Sequence, residues 1–393
     1  MGELSGYRRS DGRWGVRNHV VVLPVRVAAA AAARAAVRGL PGAVVCEHDW
    51  NGASDDPDRD TVIRTLAGVA ANPNVVRAIV VGVGGRDEEV PDLAVRLGGD
   101  VEYLTLAELR GTARAAEAVR PRVEEALRLA RGQQREPMPL DALSVGLECG
   151  GSDALSGLTA NPALGVASDR LVAAGATTIL SEVPELVGAE QSLARRAVSP
   201  EVGRRIVELI AAFETDVRTL GVDVRGAQPT PGNIEGGLTT IEEKSLGAAK
   251  KAGDAPVSGV LAYGERPAVR GLHIMDTPGH DIESVVALAA GGCQLVAFTT
   301  GRGSPTGSPL LPVLKICTNS RTFRRLSDDI DLDAGVVLTG SETIASMGDR
   351  IYEALLRTAQ GEPTSAERRG NREFALRRVA RRSAPRSLVR VGA

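Results

Sequence analysis

The residues Gly146-Leu147-Glu148-Cys149-Gly150-Gly151-Ser152-Asp153 combine two acids, a thiol and a hydroxyl with glycines. Glycine lets backbone N–H groups come close to a ligand, with no Cβ in the way. The apolar run Leu143–Leu147 reads as a buried strand, so this polar set sits at a strand end. Cys149, Glu148 and Asp153 read either as a metal-ligating or acid–base cluster, or as an inert core thiol beside solvated acids. A similar strand runs from Val296 to Phe298 and empties into Thr299-Thr300-Gly301-Arg302-Gly303-Ser304. There Arg302 is placed to clamp a carboxylate bidentately, or to be a solvated loop arginine. Two such loops suit a small anionic molecule.

Further candidates lie elsewhere. His48 follows the strand ending at Cys46 and stands among Glu47, Asp49 and Asp55. It is either a metal ligand or a loop histidine paired with an acid. His19, beside Arg17 and Asn18, either orients substrate or packs a strand start. Glu182 and Glu185 flank Pro184 after a strand; they read as ligands or proton-sharing acids, or as acids complementing a helix dipole. Lys244 is one of only four lysines, with Lys250, Lys251 and Lys315. A buried lysine there would serve as a base; the other reading is an exposed helix lysine behind the Thr240–Glu243 capping box.

The elements that must position these residues alternate. Strands are expected at His19–Pro24, Ala43–Cys46, Ala78–Val83 and Val101–Leu104. Helices are expected over Ala28–Val37, Asp58–Ala70, Asp92–Leu97 and Gly111–Arg131. The βαβα rhythm predicts an α/β fold: two Rossmann-like domains with mainly parallel sheets flanked by helices. The polar Gly132–Pro139 stretch divides residues 1–135 from a catalytic domain over 140–393 that ends in a basic tail from Arg368. In that second part Gln228–Gly237 reads as a Pro/Gly-rich loop. Ligands in open α/β sheets gather beyond the carboxyl ends of strands, where the loops at 148–153, 181–190, 276–281 and 299–309 can converge.

The chain has 393 residues, 43% hydrophobic and 24% charged, with a formal net charge of −2. The charge argues against a nucleic-acid-binding surface over the whole molecule. No apolar run is long enough to span a bilayer, and no signal-peptide pattern opens the chain. Four cysteines without CxxC spacing fit a reducing cytoplasm. Gly82-Val83-Gly84-Gly85 lacks full GxGxxG spacing and gives only weak support to a nucleotide-binding oxidoreductase.

Ordered segments together carry a resemblance. Gly6–His19, Gly146–Asp153 with Leu158–Pro162, Ser181–Glu185, Thr230–Gly247, Asp276–Gly279, Phe298–Gly303 and Asp331–Gly335 resemble the large catalytic region of the altronate/galactarate dehydratase family. The resemblance spans roughly residues 6 to 375. It implies a lyase that eliminates water from a sugar acid by α-proton abstraction; a sulfolactate sulfo-lyase-type carbon–sulfur lyase is the close alternative. A non-catalytic organic-acid-binding partner subunit is a third reading. It also implies a divalent metal, usually iron(II) or another such as manganese(II). Many relatives carry a small SAF-type domain before the Gly6 motif, and this chain has no room for it. A small SAF-domain subunit is therefore an expected partner, in a homo- or hetero-oligomer. The expected catalytic residues are Lys244, Glu182 and Asp153, and the expected metal ligands His48, Cys149 and Glu182. Substrate is expected on Arg17, Asn18, His19, Asn233, Thr300 and Arg302. The sequence departs from the family pattern at His280, at Gly307-Ser308-Pro309 and at His48–Gly52, which lacks a cysteine.

Overall fold

A computed structural model describes residues 4–52, 56, 58–219, 221 and 223–377. Two all-parallel sheets form its frame. The smaller has four strands in the order Ala43–Val45, His19–Pro24, Val75–Gly82, Val101–Thr105. The larger has seven, in the order Val257–Leu261, Gly271–Met275, Thr177–Leu180, Ser144–Gly150, Leu295–Thr300, Val313–Cys317, Leu332–Asp333. A short antiparallel ribbon joins Ser5–Arg8 to Trp14–Gly15 and Glu136–Pro137. The strands are continuous apolar runs such as Val20-Val21-Val22-Leu23, buried because helices cover both faces. The predicted fold class therefore holds.

Several boundaries moved. The Ser144–Gly150 strand runs through Glu148 and Cys149 instead of stopping at Leu147. Ladder bonds to Leu295–Thr300 carry it on. The expected loop Gln228–Gly237 contains a helical turn, Pro231–Glu235, with Thr230 as its cap and Pro231 pre-set at its first position. The tail does not begin at Arg368. Residues 365–369 are helical, Leu376 is buried, and Arg377 bonds Asp276. Residues 378–393, like Asp55 beside His48, lie outside the described residues.

The two sheets meet through buried asparagines. Asn72 Nδ2 donates to Ala289 O and Cys293 O, and Asn74 Nδ2 to Gln294 O and Leu310 O, all at 2.7–3.0 Å. Asn74 O accepts from His19 N, and its Oδ1 from Val16 N. His19 opens one sheet's central strand and Gln294 precedes a strand of the other. The amino ends of both sheets therefore lie together, and their carboxyl ends share the opposite side. The Arg59–Ala70 and Asp281–Ala290 helices pack side by side between the sheets.

Burial and the Arg17 charge push the His19 imidazole down to about 4. The unfolded chain then binds more protons between pH 6.5 and pH 4. Stability is fully present above pH 6.5 and is lost as pH falls through that window, by no more than about 3 kcal/mol. His19→Gln is expected to flatten this part of the pH–stability curve in urea titrations at pH 4.5 and pH 7. Equal losses in variant and parent would place the acid lability elsewhere.

Candidate active site

The central strand Ser144–Gly150 has Thr177–Leu180 on one side and Leu295–Thr300 on the other, so the strand order switches direction here. On one face Gly146, Glu148 and Gly150 point toward the Asp281–Ala290 helix. A Cβ on Gly146 would lie 2.6 Å from Leu288 Cδ1, and one on Gly150 would stand on Asp281 Oδ2. The missing side chains let the helix press close. Leu288, Ser284 and Asp281, about one turn apart, thus face Gly146, Glu148 and Gly150 in register.

Glu148, Glu182 and Asp281 converge there, each offering an oxygen within 4.8 Å of the others. Glu148 is fully buried. Its Oε2 accepts from Ser181 Oγ and, at 2.6 Å, from Ser284 Oγ, while its Oε1 has no partner. An unbonded buried carboxylate oxygen is costly, and a cation between the three acids would satisfy it. The donor set therefore fits a metal ion. Burial, then the Glu182 charge, pushes the Glu148 carboxyl well above its usual range. The same causes in the same order raise Asp281 to about 7.

Glu182 follows the Thr177–Leu180 strand with a left-handed backbone (φ 68°, ψ 66°), uncommon for a side chain of this size. Its N–H donates to Thr277 Oγ1 at 2.5 Å, which ties it to the Asp276–Gly279 loop. Its Oε2 accepts from Cys149 N–H and from Lys251 Nζ, both at 2.7 Å. Lys251 is completely buried. The Cys149 thiol is pushed well above its ordinary value by burial first and Glu182 second.

A second pair adjoins the first. Lys244 Nζ lies 2.9 Å from Glu185 Oε1 and donates to Gln228 Oε1 at 2.8 Å. Glu185 Oε2 is buried without a partner. Burial, then Glu182, raises its carboxyl, with Lys244 opposing.

The other expected residues separate into two groups. Thr300 and Arg302 lie on the loop beside Gly151, with Thr300 Oγ1 accepting from Gly303 N and Arg302 Nη2 3.0 Å from Glu235 Oε2. Asp153 is spent on structure: it accepts from Thr318 Oγ1, Asn319 Nδ2, Ser156 Oγ and Leu155 N. Asn233 closes the Thr230 capping box and donates to Ser152 O. His48 Nε2 is 2.8 Å from Pro24 O and Nδ1 accepts from Trp50 N, so both ring nitrogens are engaged away from the three acids. Arg17 grips Glu367 with two bonds and three backbone carbonyls besides, and Asn18 bonds Arg9 and Ala130. With His19 they sit at the amino ends of the sheets, the pole opposite the acids.

Sequence reasoning missed Asp281 and Lys251 and kept Glu148 out of the ligand set. Lys251 had one signal: three of the four lysines fall within residues 244–251. The Gly82–Gly85 loop does not look built for a phosphate, because Asp87 takes the Val83 N–H and Glu88 and Glu89 follow.

A family model described as D-galactarate/altronate dehydratase, C-terminal, matches residues 140–381. Another, described as D-galactarate dehydratase/altronate hydrolase, second domain, matches residues 6–131. Among similar proteins, the (2R)-sulfolactate sulfo-lyase subunit beta of Chromohalobacter salexigens is 40% identical over 377 residues, covering 95% of this chain and 97% of that one. The altronate dehydratase of Bacillus subtilis is 34% identical over 387 residues, covering 95% of this chain and 77% of its own length. The galactarate dehydratase (L-threo-forming) of Escherichia coli is 38% identical over 312 residues, covering 76% and 59%.

Proposed function

This chain belongs to the D-galactarate/altronate dehydratase family, and we propose that it is the large subunit of a divalent-metal-dependent lyase that expels sulfite from a sulfolactate-type 2-hydroxy acid. The observation that carries the lyase reading is the buried acid triad Glu148, Glu182 and Asp281 at the switch in strand order. The sulfo-acid reading is supported by the end-to-end match to the sulfo-lyase subunit. That protein's name also supports a separate partner subunit here. The oxygen-rich donor set suits iron(II) or manganese(II) better than a thiolate-seeking ion.

A divalent ion held by Glu148, Glu182 and Asp281 would stabilise the negative charge that builds on the substrate's carboxylate and hydroxyl. Glu185 is the group suited to take the α-proton, since its Oε2 has no other partner. Lys244, first expected to be the base, instead holds Glu185 by ion pairing and donates to Gln228. Arg302, half-exposed and, among the described residues, held only by the surface carboxylate of Glu235, is suited to turn to an anionic substrate group. Loss of the α-proton leaves an electron pair that forms the Cα–Cβ double bond as the C–S bond breaks. Sulfite departs with the bonding electrons, and the enol product becomes a 2-oxo acid.

Elimination of water from a sugar acid is the second reading, supported by 34% identity to an altronate dehydratase over 95% of this chain. An assay of the chain with iron(II), with and without a small partner subunit, separates the two. Sulfite release from (2R)-sulfolactate is expected to exceed turnover of altronate and galactarate by about 100-fold or more in kcat/KM. Dehydration of a sugar acid without sulfite release from sulfolactate would establish the second reading instead.

A further inference from the structure

The lysine inside the acid cluster has no role in proton transfer as described above, yet its burial is complete. Burying an ammonium costs far more than leaving it in water unless a charge partner repays it. Lys250 and Lys251 are adjacent at the end of the Ile241–Ala249 helix, and a single 3-10 turn separates their fates: Lys250 stays exposed and Lys251 points into the core. Its Nζ ends 2.7 Å from Glu182 Oε2. Cys149 N–H occupies the same oxygen. Among the described residues nothing donates to Glu182 Oε1, which leaves that oxygen for a cation.

Charge counting gives the arrangement a purpose. With an ion bound, the three acids are its ionised ligands, and together with the Lys251 ammonium they carry two net negative charges. A divalent ion neutralises them; a trivalent ion leaves a net positive charge buried. We propose that Lys251 is a positioning residue that holds Glu182 by its Oε2 and sets the charge of this centre to match a divalent ion. The proposal rests on the reading of Glu148, Glu182 and Asp281 as a metal centre. Lys251 then repels every cation, and repels a trivalent one more strongly, because the repulsion scales with the ion's charge.

The test is ion selectivity, measured on the full chain by titration calorimetry with manganese(II) and by luminescence with terbium(III). Lys251→Met is expected to shift the ratio of the two affinities toward terbium by roughly tenfold or more. Lys251→Arg, which keeps the charge, retains the wild-type ratio. The double variant Lys251→Met with Glu182→Gln restores two net negative charges and returns the ratio most of the way. A role in packing alone would not produce that return. Should Lys251→Met fail to fold, Glu182→Gln alone moves the ratio the other way, toward manganese. An unchanged ratio in both charge-altering single variants overturns the proposal while leaving the metal centre intact. Failure of the wild-type protein to bind either ion at these residues overturns the metal-centre reading itself.

Discussion

Asp281→Asn is expected to abolish metal binding, to lower kcat by about a thousandfold or more, and to leave the metal-free protein more stable than its parent above neutral pH. The opposite signs have one cause. Asp281 is held in a space shared with Glu148 and Glu182, where burial and the Glu182 charge raise its carboxyl from 3.8 to about 7. The folded chain therefore binds more protons than the unfolded chain between these values. Its contribution is favourable in acid and is lost as pH rises through about 7, by up to about 4 kcal/mol. Chelator-treated wild type should accordingly melt lower at pH 8 than at pH 5.5, and the asparagine variant should remove part of that slope. Bound metal restores the loss in the wild type only, because binding stabilises the state that holds the ion. An asparagine variant that still binds manganese(II) with parental affinity would exclude Asp281 as a ligand.

Gly150→Ala is the second large effect, and it arises from one added methyl group. That Cβ would stand on Asp281 Oδ2 and lie 2.6 Å from Phe298 Cζ. Phe298 is completely buried and cannot yield, and the helix that Asp281 opens is wedged between two sheets, so the Asp281 carboxylate is the group that must give way. The overpacking costs about 1–3 kcal/mol of stability. The larger effect falls on the site, because the acid must swing out of reach of Glu148 and Glu182. Metal affinity is expected to fall about 100-fold, with circular dichroism unchanged. Gly132→Ala is the control: its Cβ would meet nothing within 4 Å, and its stability should change by less than about 1 kcal/mol. Parental metal affinity in Gly150→Ala would mean that the helix has room to move and that the close approach of Gly150 to Asp281 is incidental.

Both results bear on how a seven-stranded parallel sheet builds such a centre. One acid is set by the strand itself, one by the turn after the neighbouring strand, and one by a helix that reaches the strand only because two glycines have no side chains. Cys149 and Lys251 lie toward the other side and hold Glu182 between them. The loop Asp276–Gly279 fixes the same residue from above through Thr277, and Arg377 in turn fixes Asp276.

The alternation of apolar runs and helical stretches was plain in the sequence, since strands buried on both faces must be continuously apolar. It was enough to give two parallel sheets and to place Glu182 and Cys149 at strand ends, where ligands gather. Glu148 and Glu185 were visible as candidates because acids beside glycine and proline at strand ends are unusual by local pattern alone. Asp281 could not be singled out this way. An aspartate opening a helix is the ordinary complement of the helix dipole, and nothing nearby distinguishes it from Glu283. Its role follows from packing against residues remote in sequence. Lys251 was marked only by the scarcity of lysine, because adjacent lysines at a helix end read as a solvated pair until the following turn drives one inward. The same limit explains Arg17, Asn18 and His19. A short motif records which side chains stand together along the chain, but the direction of the strand decides the pole at which they work. Local preference and hydrophobic period therefore set the elements; the meeting of distant carboxylates was decided by tertiary packing, which alone removes them from water and makes their charges interact.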